Sequence, residues 1–413
     1  MQPLRILSAM EILNQPRPGP SPRPKPPTVR GWAPLALGFR PFFLLAALAG
    51  VVLMVLWTPV WRGQLVVPAH YNAISWHGHE MLFGYSAAII AGFLLTAVRN
   101  WTGVDTWTGR RLGVLVAIWL LARLMPWLGG IPSWLLVTVD VAFLPLVAAS
   151  LYRPLWQGQN RVNRVFVPML LLMGLANLLS HLQLMDLAGG LGDMRRVMLD
   201  LVIGIIVLVA GRVMPFFTRN VLPGFEPSGY RWVERLTLVS LTLIVLTDAL
   251  PMLPAWWSAF LWFAFAALQA IRLSGWFDRR VFTIPVLWVL HVGYSWLVLG
   301  ALLTALSSIG LFPVASALHA LTVGAIGVFT IGMMSRVARG HTGRPIDVTT
   351  AITIAFLAMN AAALVRVFGT AWLGSAYAVW VDVSAALWVI GLAIFAWHYV
   401  PILLRPRVDG KPG

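Results

Sequence analysis

Residues 76–98 read WHGHEMLFGYSAAIIAGFLLTAV. Glu80 is the one Asp, Glu, Lys or Arg in these 23 positions. As a helix rising about 1.5 Å per residue, the stretch is long enough to cross the hydrocarbon layer of a bilayer. Gly84, Ala88 and Gly92 recur every fourth residue, a small-residue pattern that lets helices approach closely in a membrane. The stretch opens on two histidines, His77 and His79. On a regular helix they point about 200° apart, and His77 shares its face with Met81, Gly84 and Ala88.

The rest of the chain repeats the pattern. Hydrophobic residues make up 59% of the 413 positions and charged residues 11%, where a soluble domain carries about 25% charge. Apolar spans of membrane-crossing length are expected near 36–57, 76–98, 112–128, 132–152, 165–184, 196–218, 232–250, 254–273, 282–305, 313–335, 348–368 and 374–402. The fold class is therefore all-α, a polytopic membrane protein of about twelve transmembrane helices. Residues 1–30 are rich in proline and arginine and read as a disordered basic tail, leaving 31–413 as one twelve-helix transmembrane domain. No loop is long enough to hold a soluble domain, so binding or catalysis must occur within the bundle or at its surfaces.

Charge sets the expected orientation. The formal net charge is +16, and it is confined to short connections, which points to membrane topology and away from nucleic acid. Arg99, Arg110, Arg111, Arg153, Arg161, Arg164, Arg219, Arg231, Arg235, Arg272, Arg279, Arg280, Arg336, Arg339 and Arg344 fall on one side. Only Arg62, Arg195, Arg196 and Arg366 fall on the other. The positive-inside rule puts both termini on the cytoplasmic side.

Ionisable groups at membrane depth are costly and become functional candidates by default. Five histidines are expected there: His77, His79, His181, His291 and His319. Four fall in the outer part of the membrane, with His291 just below them. Imidazole ligates haem iron and copper. There is no cysteine, which excludes disulfides, thiolate ligands and covalent haem attachment. Arg123, Asp140, Asp200, Arg212, Asp248 and Asp382 also need partners within the bundle, with structural ion pairs as the default. Met333 and Met334 read as core packing before soft copper ligands.

Several blocks carry a resemblance. They are WHGHEMLFGY at 76–85, GFLLTAV at 92–98, NWTG at 100–103, GRVMPFFTRN at 211–220, ALHALTVGAIG at 317–327, MMSR at 333–336 and GHTGRP at 340–345. LGFRPFF at 37–43 and HVGY at 291–294 complete the set. Together they closely resemble the NnrS family of bacterial membrane proteins over roughly residues 31–413, with Arg99 standing where a proline is expected. The resemblance implies a multi-pass inner-membrane protein associated with haem b and copper and with the response to nitric oxide. The resemblance does not by itself supply a reaction; if the chain is an enzyme, an oxidoreductase acting on nitric oxide at a haem b is expected, with a membrane electron donor as a partner. His77 and His319 are the expected haem ligands, with His79 as the substitute and His291 as a further cofactor or metal residue. His181, outside the strongest blocks, is a further metal candidate.

A second resemblance is architectural. Haem–copper oxidases and nitric oxide reductases are also twelve-helix proteins with haem ligands on helices 2 and 10. The histidines they carry for copper on helices 6 and 7 are absent here. Two other function classes compete: a transporter of copper, haem or another small solute, and a sensory or assembly factor acting through a membrane partner. The absence of a repeat between the two halves counts against the transporter.

Overall fold

A computed structural model describes residues 31–413 apart from Pro251. The expected proline-rich tail at 1–30 lies outside the described residues. Twelve helical segments follow one another: α1 Phe39–Trp61, α2 Ala73–Thr102, α3 Gly109–Leu124, α4 Ser133–Gln157, α5 Arg161–Leu184 and α6 Met194–Val221. The second half is α7 Arg231–Ala249, α8 Ala255–Trp276, α9 Pro285–Ser308, α10 Val314–His341, α11 Thr350–Trp372 and α12 Gly374–Leu404. No strand occurs among the described residues. Ten of the twelve are long and apolar enough to cross a membrane. Of the other two, α3 has only 16 residues and is stopped by a tight turn at Met125–Trp127 containing Pro126. The 19 residues of α7 include Arg231, Glu234, Arg235 and Asp248.

Local chemistry explains where the ends differ from expectation. α2 begins three residues early because Asn72 caps it: the Asn72 side chain accepts from the Ser75 amide at 2.8 Å and Ser75 Oγ accepts from the Asn72 amide at 3.0 Å. α10 runs on to His341, which was expected in a loop, and the chain turns away only at Gly343, whose φ is +74°. Arg272, placed at the inner end of the expected 254–273 span, lies inside α8 and is buried. Its guanidinium donates to Glu234 of α7 at 2.9 Å, Tyr294 of α9 at 2.6 Å and the Val207 carbonyl of α6 at 3.2 Å. A buried cation needs such acceptors, and these tie the charged α7 to its neighbours.

Successive helices pack on one another, and α12 returns against α1. Two polar contacts mark that closure. Trp388 Nε1 donates to the Gly50 carbonyl at 3.1 Å, and the buried Arg40 donates to the Leu403 carbonyl at 3.0 Å. Gly92 packs against Phe42 and Phe43 of α1, the close approach that its small side chain allows. Met333 and Met334 are buried in the core.

Three helices are not regular. Residues Glu80–Ser86 of α2, Ala320–Val328 of α10 and Val365–Gly369 of α11 widen to π-helical turns. Ser86 Oγ donates to the carbonyl of Met81, five residues back, at 2.8 Å. Such turns insert one residue into a helix and concentrate at functional sites.

Candidate functional site

Two polar sites lie at the end of the bundle that holds the 62–72 connection, the end expected to face outward. They occupy opposite faces of α2.

The first is a buried cluster. The π-turn begins immediately after His79, and the capped first turns hold that ring inward, fully buried. His79 Nε2 lies 3.0 Å from Asp140 Oδ2 of α4, and His181 Nε2 of α5 lies 2.9 Å from the same oxygen. Asn177, one turn before His181, donates to it as well at 2.8 Å. Arg123 of α3 pairs with the other Asp140 oxygen and sits 3.3 Å from Glu80 Oε2. His70, in the 62–72 connection, faces His181 Nδ1 with its own Nε2 at 3.0 Å. Burial first, and then the imidazoles of His181 and His79, lower the His70 pKa to about 4. The ligating atoms of His79, Asp140 and His181 lie within 4.8 Å of one another, so these three residues could hold a metal ion.

The second site is a cavity of about 220 Å³ between α1, α2, α6, α10, α11 and α12. Its walls are largely apolar, with Met54, Met81, Leu82, Leu318, Ile326 and Trp388 among them. Arg195, Arg196 and Arg366 bring positive charge to it. His319 lines it from the turn before the α10 π-segment. Its Nδ1 faces the Ala315 carbonyl at 2.6 Å, so that nitrogen carries the proton and Nε2 keeps a free lone pair. His77 is next to this cavity, with its ring stacked on the lining Trp57 at 4.1 Å between centroids.

The structure thus separates the histidines that the sequence groups together. His77 and His319 belong with the cavity, and His79 and His181 with the cluster. His291 is apart from both. α9 starts at Pro285, so His291 is less than two turns from the opposite end of the bundle and not just below the other four. Its ring nitrogens face the Leu287 carbonyl at 3.0 Å and the Trp276 carbonyl at 3.2 Å. The expected single face of His77, Met81, Gly84 and Ala88 is also broken. The π-turn leaves Met81 on the cavity and turns Gly84 toward Arg123.

Four of the six charged residues expected to need partners form close ion pairs, whereas Arg212 donates to Asn163 and both buried Asp200 oxygens lack a hydrogen-bond partner among the described residues. Arg123 meets Asp140, Arg196 meets Asp248 at 3.0 Å, and Arg62 meets Asp382. Two members of the cluster were missed by sequence reasoning. His70 sits in a connection with no helical spacing to mark it. Asp140 was noted as needing a partner, but nothing in the sequence linked it to histidines 61 positions before and 41 after.

The fold and sites define a polytopic α-helical membrane protein with a buried histidine–carboxylate cluster and an arginine-lined cavity at one end. Residues 33–407 match the family described as NnrS protein, and the chain belongs to that family. Membership supports, in general terms, a membrane protein associated with haem, copper and nitric oxide. No curated protein sequence matches the chain.

Proposed function

We propose that the protein binds haem b in the α2–α10 cavity and acts in the relief of nitric oxide stress in the bacterial inner membrane. The observation that carries this reading is His319: its Nδ1 is committed to the Ala315 carbonyl while the ring lines an apolar cavity. An imidazole fixed in this way presents Nε2 as a ligand of defined direction. The other wall features suit the same group. Apolar side chains match a macrocycle, and Arg366 matches a propionate, while Arg195 and Arg196 on the same wall are already paired with Asp193 and Asp248. His77, stacked on the lining Trp57, is the proposed second ligand from α2.

Haem iron supplies a coordination site for a diatomic gas. The protein's own part is to orient the ring through His319, to exclude water with the Met and Leu walls, and to neutralise a propionate through Arg366. Nitric oxide is small and apolar, and it reaches such a site through the bilayer.

The test is spectroscopic. Protein purified from haem-replete cells is expected to show a Soret band that shifts on addition of nitric oxide. His319→Ala is expected to remove or strongly perturb the band. A protein that carries no haem under these conditions rejects the reading. A band unchanged in His319→Ala rejects this ligand.

A further inference from the structure

We propose that His79, His181 and Asp140 form a site for a divalent transition-metal ion, separate from the haem cavity and loaded through His70.

The cluster crowds its nitrogen atoms onto one carboxylate oxygen, and His79 Nε2 has only Asn177 Oδ1, at 3.2 Å, as an alternative acceptor. Asp140 Oδ2 faces three nitrogen donors at 2.8–3.0 Å, from Asn177, His181 and His79. An oxygen of a carboxylate has two lone pairs for them. His79 is fully buried, yet its Nδ1 has no hydrogen-bond partner. Two buried carboxyl groups, Glu80 and Asp140, share the guanidinium of Arg123, and their second charge is met only if His79, which lies against both, carries a second proton.

A metal ion between His79 Nε2, His181 Nε2 and Asp140 Oδ2 answers each point. Ligands about 2 Å from a tetrahedral ion lie about 3.3 Å from one another, and two edges of this triangle are already 3.0 and 2.9 Å. The two N–H···O contacts become two N–metal bonds, which relieves the crowded oxygen. Ligation at Nε2 puts the ring N–H on Nδ1. For His79 that proton then faces Glu80 Oε1, 3.5 Å away, and the orphaned nitrogen gains a carboxylate acceptor. For His181 it faces His70 Nε2 at 3.0 Å. Ligating histidines are normally held from behind in this way. The ion takes over the positive charge that a doubly protonated His79 would otherwise supply between the two carboxylates.

The donor set of two imidazoles and one carboxylate selects iron(II), cobalt, nickel, copper or zinc over magnesium or calcium. With three protein ligands, a fourth position stays open. Access is also built in. His70 lines a crevice of about 470 Å³ together with Met125, Trp127, Leu184 and Met185, while its Nε2 touches His181. It is half-buried, between that crevice and the enclosed ligands. An ion captured there has one imidazole to pass before it meets His181.

Cobalt(II) is the probe. The chain has no cysteine, so a single introduced thiol reports on its own position. Wild-type protein in detergent, stripped with a chelator, is expected to bind one Co²⁺ per chain. His79→Cys and His181→Cys are each expected to add a thiolate-to-cobalt charge-transfer band, which a Thr138→Cys control on the exposed face of α4 lacks. His70→Ala is expected to keep the site while weakening it about 10- to 100-fold and slowing its loading. His319→Ala must leave Co²⁺ binding intact, which keeps this proposal distinct from the haem reading. Wild-type protein that binds no Co²⁺, or cysteine variants that bind it with no charge-transfer band, overturn the site. If one cysteine variant fails to fold, as judged by its elution profile, the wild-type titration and the other variant decide.

Discussion

Arg123 on α3 and Asp140 on α4 form an ion pair inside the bundle, with side chains only 10% and 3% exposed. The same guanidinium is the cation beside Glu80. Removing one partner of such a pair leaves an uncompensated buried charge, at a cost of about 3–5 kcal/mol. Arg123→Leu is therefore expected to lower the thermal unfolding midpoint of the purified protein sharply. Arg123→Leu combined with Glu80→Gln and Asp140→Asn, which removes both carboxylate charges, is expected to recover part of the loss. A single variant as stable as wild type contradicts the pairing.

Arg366 offers a second test, at the cavity. Its guanidinium is already oriented by Thr370 Oγ1 at 3.1 Å and by the Tyr377 hydroxyl at 3.4 Å. A charge-assisted hydrogen bond contributes roughly 1.5–3 kcal/mol, and each ~1.4 kcal/mol is tenfold in affinity. Arg366→Leu is expected to release haem about ten- to a hundredfold faster while keeping the wild-type elution profile. Haem-loss kinetics measure this, and an unchanged rate removes Arg366 from the proposed site.

Gly293 makes a prediction about packing alone. A Cβ at this position of α9 meets the Phe329 amide nitrogen at 2.7 Å and its Cα at 2.8 Å. Those are backbone atoms of α10, which cannot swing aside as a side chain can. Gly293→Ala is expected to destabilise the protein by about 1–3 kcal/mol through overpacking. Thermal denaturation followed by circular dichroism checks it, and no loss of stability shows that α9 and α10 have room to separate.

The fourth prediction concerns pH. His70 titrates at about 4 in the folded protein, against an ordinary value of about 6.5. Between these values the unfolded chain takes up a proton that folded His70 refuses. The contribution to stability is present above about pH 6.5 and is lost as pH falls toward 4. The unfolding midpoint is expected to drop over this window, and to drop less in His70→Gln. Parallel curves for the two proteins show that His70 is free to protonate in place.

Much of the fold is legible because membrane helices advertise themselves by length and apolarity. All twelve helical segments fall where apolar spans are expected, and the arginines near Arg99, Arg164 and Arg279 mark common ends. Helix ends were less legible, since caps such as Asn72–Ser75 and stops such as Gly343 extend helices beyond their apolar parts. The site was legible only as a list of histidines. Sorting them needs the direction of each ring, and two facts hidden from sequence set it. One is the π-turn after His79, which the residues Glu80–Ser86 do not signal. The other is the pairing of α2 with α4 and α5, which brings Asp140 and His181 to His79 from distant positions.

The π-turns have a consequence for how the bundle is built. Each acts as a phase shifter along its helix, because one inserted residue rotates everything on one side by about 100° relative to the other. In α2 and α10 the shifter lies directly after His79 and His319. The histidine-bearing turns are thereby set out of phase with the helix beyond, which in α2 carries the close contact at Gly92. Chemistry at one end of the protein is geometrically decoupled from the scaffold at the other.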